Sequence, residues 1–361
     1  MLPCFREQFG NAASRHHRLG SDAAEAVETA RGQVASLIGA DPREIVWTSG
    51  ATESDNLAIK GVAASPAYST RGNHIVTVTT EHRAVLDPCE HLEGQGFKVT
   101  HLRVDRLGRL DLGRLEAAIT PKTILVSVMH ANNETGWLHP IREIGALCRN
   151  HKTLFHTDAT QSFGKEPIDV NADSIDLLSA SAHKVHGPKG VGFLYVRRRD
   201  PRVRCEPLLH GGGHEKGLRS GTLNVPAIVG MGAAAAICLK ERAAEQERLR
   251  ALRDRLEQGI RSTLKGVEVN GDPAHRLATT SNLSFPGADA EELMKRMPQV
   301  AASTSSACTS ALLQPSYVLG ALGCDEARAK GSIRFSLGRF TTEAEIDDAV
   351  EQIVRAAGAR C

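Results

Sequence analysis

The chain has 361 residues, with 44 Lys or Arg against 42 Asp or Glu, which gives a formal net charge of +2 at pH 7. This near-balance argues against nucleic acid as the main partner, and no run of residues has the apolar length of a membrane span or a signal peptide. The length exceeds the roughly 250 to 300 residues at which a single core stops growing. We therefore expect two domains in a cytoplasmic protein that acts on small molecules or protein partners.

The first predicted element is a helix over residues 21–38, which opens on a capping-box pattern and repeats apolar residues at helical spacing. Strand-like runs follow at 44–48, 74–79, 97–104, 123–129, 153–157, 175–180 and 191–196. Helical patterns, such as those at 54–64 and 141–150, lie between most of these runs. The alternation predicts an α/β fold, in which a large domain has a mainly parallel seven-stranded sheet flanked by helices.

The composition shifts from Ala233, and a long charged helix is predicted from Lys240 onward. It carries one apolar stripe, formed by Leu249, Leu252, Leu256 and Ile260. Further strand-like runs at 266–269, 281–285 and 332–336 alternate with helical patterns at 289–297 and 342–357. These elements predict a smaller α+β domain. We expect a large domain over residues 1–239 and a small C-terminal domain over residues 240–361.

Lys184 lies on a turn between two apolar runs, within Ser-Ala-His-Lys-Val-His-Gly-Pro-Lys-Gly at 181–190. A lysine between two core strands is oddly placed for a solvated surface charge. Lysine forms a Schiff base when burial or cationic neighbours lower its pKa, and pyridoxal phosphate enzymes hold their cofactor through such a lysine. An exposed hairpin lysine is the alternative, and this stretch alone does not decide between the two.

A second turn, Thr-Ser-Gly-Ala-Thr-Glu at 48–53, follows a strand and opens a helix. Backbone N–H groups of Ala51 and Thr52 at a helix N-terminus, together with the Thr52 hydroxyl, make a cradle for a phosphate. Further donors are available from Ser181, His183 and Thr222. An ordinary helix N-cap is the competing interpretation of this turn.

Polar residues end three other predicted strands, at the carboxyl edge where open α/β sheets bind ligands. His82 could stack on a pyridine ring and move protons near neutral pH, or be a structural histidine. Asn133 could hydrogen-bond a ring hydroxyl, or belong to a glycine-terminated turn. Asp158 is the carboxylate expected against a pyridinium nitrogen, with a helix N-cap as its alternative. Each residue is ambiguous alone, but the ordered set with Lys184 favours pyridoxal phosphate.

Two residues of the predicted small domain stand out. The eight cysteines lack the spacing of a disulfide framework or a zinc site. Cys308 lies among small polar residues, and this composition predicts an accessible thiol on a loop. Arg334 alternates with apolar neighbours on its predicted strand, so it points to the opposite face. It can clamp an amino-acid carboxylate or form a surface salt bridge.

From Phe9 to Phe340 the chain resembles a cysteine desulfurase, of the class V aminotransferase group within the fold type I pyridoxal phosphate enzymes. The resemblance covers most of the chain. It is carried by the motifs at 48–57, 80–86, 132–136, 158–164, 181–192, 211–224, 305–310 and 332–340.

The resemblance implies a role for each candidate residue. Lys184 would hold the cofactor, His82 would stack on the ring and act as acid and base, and Asp158 would bind the pyridine nitrogen. Near the ring hydroxyl it implies Asn133 and Gln161. On the phosphate it implies Ala51, Thr52, Ser181 and His183, with Thr222 reaching the phosphate of a dimer mate. Cys308 would accept sulfur, and Asn133 and Arg334 would bind the substrate.

The implied activity is the conversion of L-cysteine to L-alanine, with the sulfur transferred to Cys308 as a persulfide for iron-sulfur cluster or other cofactor assembly. The implied partners are a second copy of the chain and a sulfur-acceptor protein such as an iron-sulfur scaffold. The resemblance implies no resident metal, although Cys308 could be an iron-sulfur ligand during transfer. Neither nucleic acid nor a membrane is expected to bind.

The chain departs from the family pattern at both ends. Family members usually begin with a strand and an Ala-Thr-Thr turn that this sequence lacks, and the C-terminus at Cys361 is shorter than in relatives whose tail helps to dock a scaffold. Full activity and scaffold docking are therefore open expectations. The alternatives are another enzyme of the group, such as a selenocysteine lyase or an aminotransferase, or a truncated, inactive binding partner.

Overall fold

The computed structural model describes residues 1–14, 16–304 and 316–358. The chain divides into two compact units. The first comprises Met1–Leu102, Leu112–His130 and His139–Arg242, and the second comprises Arg103–Asp111, Ala131–Leu138 and Ala243–Cys361. The predicted boundary between residues 239 and 240 stays a prediction, and the two short early segments of the second unit were not anticipated.

A seven-stranded sheet forms the centre of the first unit. Its strands are β1 (Ile45–Thr48), β2 (His74–Val78), β3 (Lys98–Leu102), β4 (Thr123–Ser127), β5 (Leu154–Asp158), β6 (Leu177–Ser181) and β7 (Gly192–Val196). They lie in the order β1-β7-β6-β5-β4-β2-β3, and only β7 runs antiparallel to its two neighbours. The predicted α/β fold with a mainly parallel seven-stranded sheet is confirmed.

Burial explains why the strands read as apolar runs rather than as alternating patterns. Every residue of β4, β5, β6 and β7 is buried, as expected for a parallel sheet covered on both faces. The edge strand β3 is the contrast, since Lys98 and His101 are exposed on it. Charged residues on an edge discourage pairing with another chain.

The helices of the first unit follow the strands along the chain. They are α1 (Leu2–Arg6), α2 (Arg18–Leu37), α3 (Ala51–Ala64), α4 (Pro66–Ser69), α5 (Arg83–Glu93), α6 (Leu112–Ala118) and α7 (Ile141–Asn150), together with the first part of α8 (Val225–Thr263). Helix α3 is buried along most of its length and belongs to the apolar core of this unit. No helix among the described residues has both the length and the apolar character needed to cross a membrane.

The second unit has an antiparallel four-stranded sheet in the order β10-β11-β9-β8. These strands are β8 (Glu268–Val269), β9 (Thr280–Ser284), β10 (Ser303–Thr304) and β11 (Ser332–Ser336). Its helices are the last part of α8, α9 (Ala290–Lys295), α10 (Tyr317–Ala321), α11 (Glu326–Lys330) and α12 (Glu343–Gly358). The predicted leucine stripe of α8 packs in one core with Leu283, Ile333 and Ile353.

Candidate active site

The strand directions gather the predicted residues of the first unit at one edge of its sheet. Because β7 is antiparallel to both β1 and β6, these two strands run in the same direction, which β2, β4 and β5 share. Their carboxyl ends therefore lie at the same edge, where open α/β sheets bind ligands. Thr48, Asp158 and Ser181 are the last residues of β1, β5 and β6.

Gly192 joins the two turns that the sequence assigned to a phosphate. It pairs in register with Thr48 on one side and with Ser181 on the other. A Cβ atom at Gly192 would lie only 2.7 Å from Gly50 Cα, so the backbone of the 48–53 turn approaches β7 more closely than a side chain permits. The lack of a side chain at Gly192 thus lets the start of α3 lie against the end of β6.

The phosphate candidates meet at the first turn of α3. Ala51 and Thr52 open this helix, and backbone N–H groups in a first turn have no partner inside the helix. A Cβ built on Gly50 would lie 3.7 Å from Ser181 Oγ, which places the buried Ser181 hydroxyl beside the turn. Ser181 Oγ and His183 Nδ1 are hydrogen-bonded at 2.8 Å. The geometry is that of an anion cradle with backbone, hydroxyl and imidazole donors.

His183 is held close to two lysines. Partial burial, Lys184 and Lys189 together lower the pKa of His183, so its imidazole is mainly neutral near pH 7. A neutral imidazole has one donor and one acceptor nitrogen, and the Ser181 hydroxyl occupies one of them. The other nitrogen is the one that would face a phosphate oxygen as a donor.

Lys184 lies in a short 3₁₀ turn, Ala182–Val185, that links β6 and β7. The turn closes through a hydrogen bond from Gly187 N to Ala182 O at 2.9 Å, and His186 takes a left-handed conformation with φ of 62°. Lys184 is half-buried, next to the buried Val185. It is therefore less accessible than the exposed hairpin lysine of the alternative interpretation.

His82 has a structural contact of its own. It is the N-cap of α5, and its Nδ1 accepts a hydrogen bond from Ala84 N at 3.1 Å. An accepting Nδ1 assigns the proton of a neutral ring to Nε2. The half-buried ring is thereby fixed by its backbone contact, while Nε2 stays on the side away from the cap.

Asp158 is buried at the end of β5 and accepts a hydrogen bond from Thr160 N at 2.8 Å. Among the described residues, no Lys or Arg forms an ion pair with it, although a buried carboxylate needs a cationic partner. The neighbouring Thr160 Oγ1 is buried without a hydrogen-bond partner in the described part of the chain. A pyridinium nitrogen fits this uncompensated position.

The remaining candidates of the first unit lie on turns. Gln161 is half-buried three residues after Asp158, in the turn that follows β5. Thr222 is exposed, next to Gly221, whose N–H donates a hydrogen bond to His214 Nδ1 at 3.2 Å. An exposed Thr222 is available to a molecule outside this chain.

The second unit brings Asn133 and Arg334 together. Arg334 lies on β11, and its Nη1 donates a hydrogen bond to the backbone oxygen of Asn133 at 2.8 Å. Arg334 Nε and Asn133 Oδ1 are both buried, and neither has a hydrogen-bond partner among the described residues. A donor and an acceptor left unpaired in this way fit a polar ligand, because burial without a partner is costly.

Cys308 lies outside the described residues, between β10 and Ser316. Both flanks are fixed within the second unit. Ser303 of β10 pairs with Arg334, and Ser316 Oγ donates a hydrogen bond to Glu134 Oε2 at 2.5 Å. The chain thus leaves and rejoins the described structure beside the elements that carry Asn133 and Arg334.

A buried polar cluster beneath Asp158 was missed from the sequence. It includes Asp55 on α3, Glu81 after β2, and His156 on β5, all fully buried. A signal for Asp55 existed, because Asp55, Ala58, Ile59 and Val62 follow the i, i+3, i+4, i+7 spacing of one buried helix face. A carboxylate on such a stripe indicates a buried polar site.

Comparison with known proteins identifies the family of the chain. The aminotransferase class-V family model matches residues 1–349. A cysteine desulfurase IscS of Anaeromyxobacter sp. (strain Fw109-5) is 58% identical over 354 residues, which cover 98% of this chain and 87% of the relative. A solved structure of a NifS-like protein has a TM-score of 0.91 and 37% identity, covering 99% of this chain and 94% of that one. A structure of SspA in complex with cysteine has a TM-score of 0.80 and 38% identity, covering 94% of each chain.

Proposed function

Because the chain belongs to the cysteine desulfurases of the aminotransferase class-V family, we propose that it converts L-cysteine to L-alanine and transfers the sulfur to its own Cys308. The family depends on pyridoxal 5′-phosphate, and this chain is an enzyme of that kind. The proposed assignment of the site rests on one observation. The anion cradle, the turn of Lys184 and Asp158, whose buried carboxylate has no Lys or Arg partner among the described residues, all lie at one edge of the sheet.

The cofactor, when bound, supplies an electron sink for the α-carbon of the substrate. Its phosphate would be held by Ala51 and Thr52 at the start of α3, and by Ser181 and His183, which share a 2.8 Å hydrogen bond. Thr222 is exposed, which supports its proposed reach to the phosphate of a second copy in a homodimer.

The ring would be held by residues that follow the strands. Asp158 supplies the negative charge that keeps a pyridine nitrogen protonated, because an opposite charge in a buried site favours the charged form. His82 would stack on the ring, with Nε2 as the atom that moves a proton. Gln161 and Asn133 are assigned to the ring hydroxyl.

Lys184 has two tasks in this proposal. It would hold the cofactor covalently, and after displacement by the substrate its Nζ would take the α-proton of L-cysteine. Lys189 lies on the same turn, and a cationic neighbour favours the neutral amine that proton transfer needs. The half-buried position of Lys184 supports this role, because desolvation acts in the same direction.

Arg334 and Asn133 would bind the substrate. A guanidinium with an unpaired, buried Nε can donate to a carboxylate oxygen, and Asn133 Oδ1 can accept from an ammonium group. The hydrogen bond from Arg334 to the Asn133 backbone keeps the two groups at a constant separation within the second unit. This arrangement supports recognition of an α-amino acid.

Cys308 is proposed as the nucleophile. Its thiolate attacks the sulfur of the bound cysteine, a sulfur–sulfur bond forms, and the carbon–sulfur bond breaks. The electron pair of that bond goes to the carbon skeleton, which takes up one proton at its β-carbon, regains the α-proton from Lys184 and leaves as L-alanine. The persulfide on Cys308 is then passed to an acceptor protein such as an iron-sulfur scaffold, where Cys308 could also be a transient iron-sulfur ligand.

The cytoplasm is the proposed compartment. A thiol that must cycle between free and persulfide forms needs a reducing environment, which the cytoplasm maintains. Cys4, Cys89, Cys148, Cys205, Cys238 and Cys324 are all free thiols in the structure. Burial raises the pKa of Cys89 to about 12, and raises that of Cys205 to about 12, so these two thiols are poor competitors for the sulfur.

The test is the release of alanine from L-cysteine by the protein supplied with pyridoxal phosphate. Lys184→Ala should abolish alanine formation, whereas Cys308→Ala should keep the visible absorption of the bound cofactor but lose persulfide transfer. Wild-type rates of alanine release in Lys184→Ala would contradict the proposal. A screen with selenocysteine and other amino donors separates a desulfurase from a selenocysteine lyase or an aminotransferase.

A further inference from the structure

Asp55 is buried in the first unit with no exposed surface, on the face of α3 that otherwise carries Ala58, Ile59 and Val62. Its Oδ1 lies 3.5 Å from His156 Nε2. His156 projects from β5 two residues before Asp158, and side chains two apart on a strand share one face. Asp55 therefore lies in the protein interior near Asp158, the carboxylate assigned to the cofactor.

The ring of His156 already has a partner on each nitrogen. Its Nδ1 is hydrogen-bonded to Ser127 Oγ at 2.8 Å and its Nε2 to Ser179 Oγ at 3.0 Å. The distance of 3.5 Å to Asp55 is longer than the roughly 2.7 to 2.9 Å of a charge-assisted hydrogen bond. Burial lowers the pKa of His156 to about 3, so a charged imidazolium is not available to neutralise Asp55.

Three carboxyl groups face one another in this cluster. Burial raises the pKa of Asp55 well above its usual range, and the charge of Asp158 adds to the effect. Burial and the charge of Asp158 also raise the pKa of Glu81. Like charges that share a buried site cannot all ionise. The titratable groups that surround Asp55 are thus His156, Asp158 and Glu81.

The hydrogen-bond donors decide which carboxyl keeps its charge. Asp158 accepts from Thr160 N at 2.8 Å, and Glu81 accepts from Met129 N at 2.6 Å. Neither oxygen of Asp55 has a hydrogen-bond partner of normal geometry in the described part of the chain, and only the nearby Ser179 hydroxyl opposes the rise of its pKa. Hydrogen bonds to a carboxylate favour its charged form, so the carboxyl without a backbone N–H donor is the one that holds a proton.

We propose that Asp55 is a protonated positioning residue, whose neutral carboxyl leaves Asp158 as the ionised partner of the pyridine nitrogen. This inference rests on the proposed function, because that function assigns Asp158 to the cofactor. A charged Asp55 would share the attraction of the pyridinium and repel Asp158 from its position. A neutral Asp55 fills the same space and leaves the negative charge on Asp158.

The protonation state is tested by infrared spectroscopy near neutral pH, where exposed carboxyl groups are ionised and only protonated acids absorb in the carbonyl stretching region. Asp55→Asn should remove one acid band, and Asp158→Asn should remove none. Retention of every acid band in Asp55→Asn would overturn the proposal, as would an ion pair between Asp55 and His156. If Asp55→Asn does not fold, the variant that combines Glu81→Gln, Asp158→Asn and Asp176→Asn decides, since burial also raises the pKa of Asp176: an acid band that persists supports the proposal, and loss of all such absorption overturns it.

The positioning role is tested with the holoenzyme. The measured quantity is the pH at which the change in the visible absorption of bound pyridoxal phosphate is half complete, which we call the midpoint. Asp158→Asn should lower the midpoint by about one to three pH units, because it removes a charge next to the ring. Asp55→Asn should move it by much less, because it replaces one neutral group by another. An equal shift in both variants would refute the inference. If the wild-type protein takes up no cofactor, the proposed function fails, while the acid band still reports the state of Asp55.

Discussion

Arg334 Nη1 donates a hydrogen bond to the backbone oxygen of Asn133 at 2.8 Å, although 201 positions separate the two residues in the chain. One guanidinium thus orients the segment that carries Asn133 and keeps its buried Nε for a ligand. Because the guanidinium of Arg334 both holds this segment and is proposed to bind the ligand, a substitution of Arg334 tests the proposed substrate site directly.

Arg334→Lys should raise the KM for L-cysteine by about 10- to 100-fold, because lysine cannot form the two-pronged contact of a guanidinium with a carboxylate. The value of kcat should fall less than kcat/KM. Steady-state kinetics of alanine release measure both. The matched control is Arg355→Lys, at an exposed position that forms an ion pair with Glu351 on the same helix. Equal KM values in the two variants would remove Arg334 from the substrate site.

Ser181→Ala should weaken the binding of pyridoxal phosphate by about 5- to 30-fold, equivalent to about 1 to 2 kcal/mol for one hydrogen bond to a charged group. The loss also frees His183 from its 2.8 Å contact, so its ring can rotate. Equilibrium dialysis or cofactor absorbance gives the affinity. Ser262→Ala, on the exposed surface of α8, is the control and should bind as the wild type does.

Gly192→Ala should destabilise the protein by about 1 to 3 kcal/mol, because the new methyl group would lie 2.5 Å from Ala180 O and 2.7 Å from Gly50 Cα. It should also weaken cofactor binding, since relief of the contact with Gly50 separates β7 from the turn before α3. Urea unfolding measures the stability. Gly32→Ala is the matched control, because a Cβ there meets nothing within 4 Å, and alanine favours its helix by about 0.5 to 1 kcal/mol. Stability gained in both variants would contradict the close approach of β7 to the turn.

Acid should destabilise the fold through its buried histidines. Burial lowers the pKa of His130 to about 4, and burial together with His130 lowers that of His139 to about 3. The unfolded chain protonates these rings near pH 6.5, whereas the folded chain does not, so the free energy of unfolding falls as the pH drops from 6.5 toward 4. Each such ring contributes up to about 1.4 kcal/mol per pH unit.

His139→Asn should therefore reduce the slope of the free energy of unfolding against pH between about pH 6 and pH 4. Urea titrations at several pH values give the slope for both proteins. The buried Asp55 and Glu81 act in the opposite sense, because their raised pKa values favour the folded state at low pH. An unchanged slope in the variant would show that His139 titrates alike in the folded and unfolded chains.

Much of the first unit could be predicted from its sequence because its strands are buried on both faces. The runs at 123–129 and 153–157 have no polar alternation, and each became a fully buried strand. The order of motifs also placed the candidate residues at strand ends, since parallel strands bring their carboxyl ends to one edge. The seven predicted strands all lie in one sheet.

Other features could not be predicted because they depend on distant pairs. The predicted charged helix begins at residue 240, whereas α8 begins at Val225, where small residues conceal the apolar periodicity. The contact of Asp55 with His156 joins residues from two elements, and local spacing does not give such pairs. The 131–138 segment joins the second unit through Trp137, which bridges to Arg276. No local sequence pattern indicates that the 131–138 segment belongs to the second unit.

The division of the chain also constrains how synthesis and folding are coupled. The polypeptide passes between the two units after residues 102, 111, 130, 138 and 242, so the second unit needs three separate stretches of the chain. The segment that carries Asn133 leaves the ribosome long before the strand that carries Arg334. The hydrogen bond between these two residues can therefore form only after nearly the whole chain has been synthesised. The pair of Asn133 and Arg334 is therefore completed among the last events of biosynthesis, and a prematurely terminated chain would carry most of the residues proposed for the cofactor without the arginine proposed for the substrate.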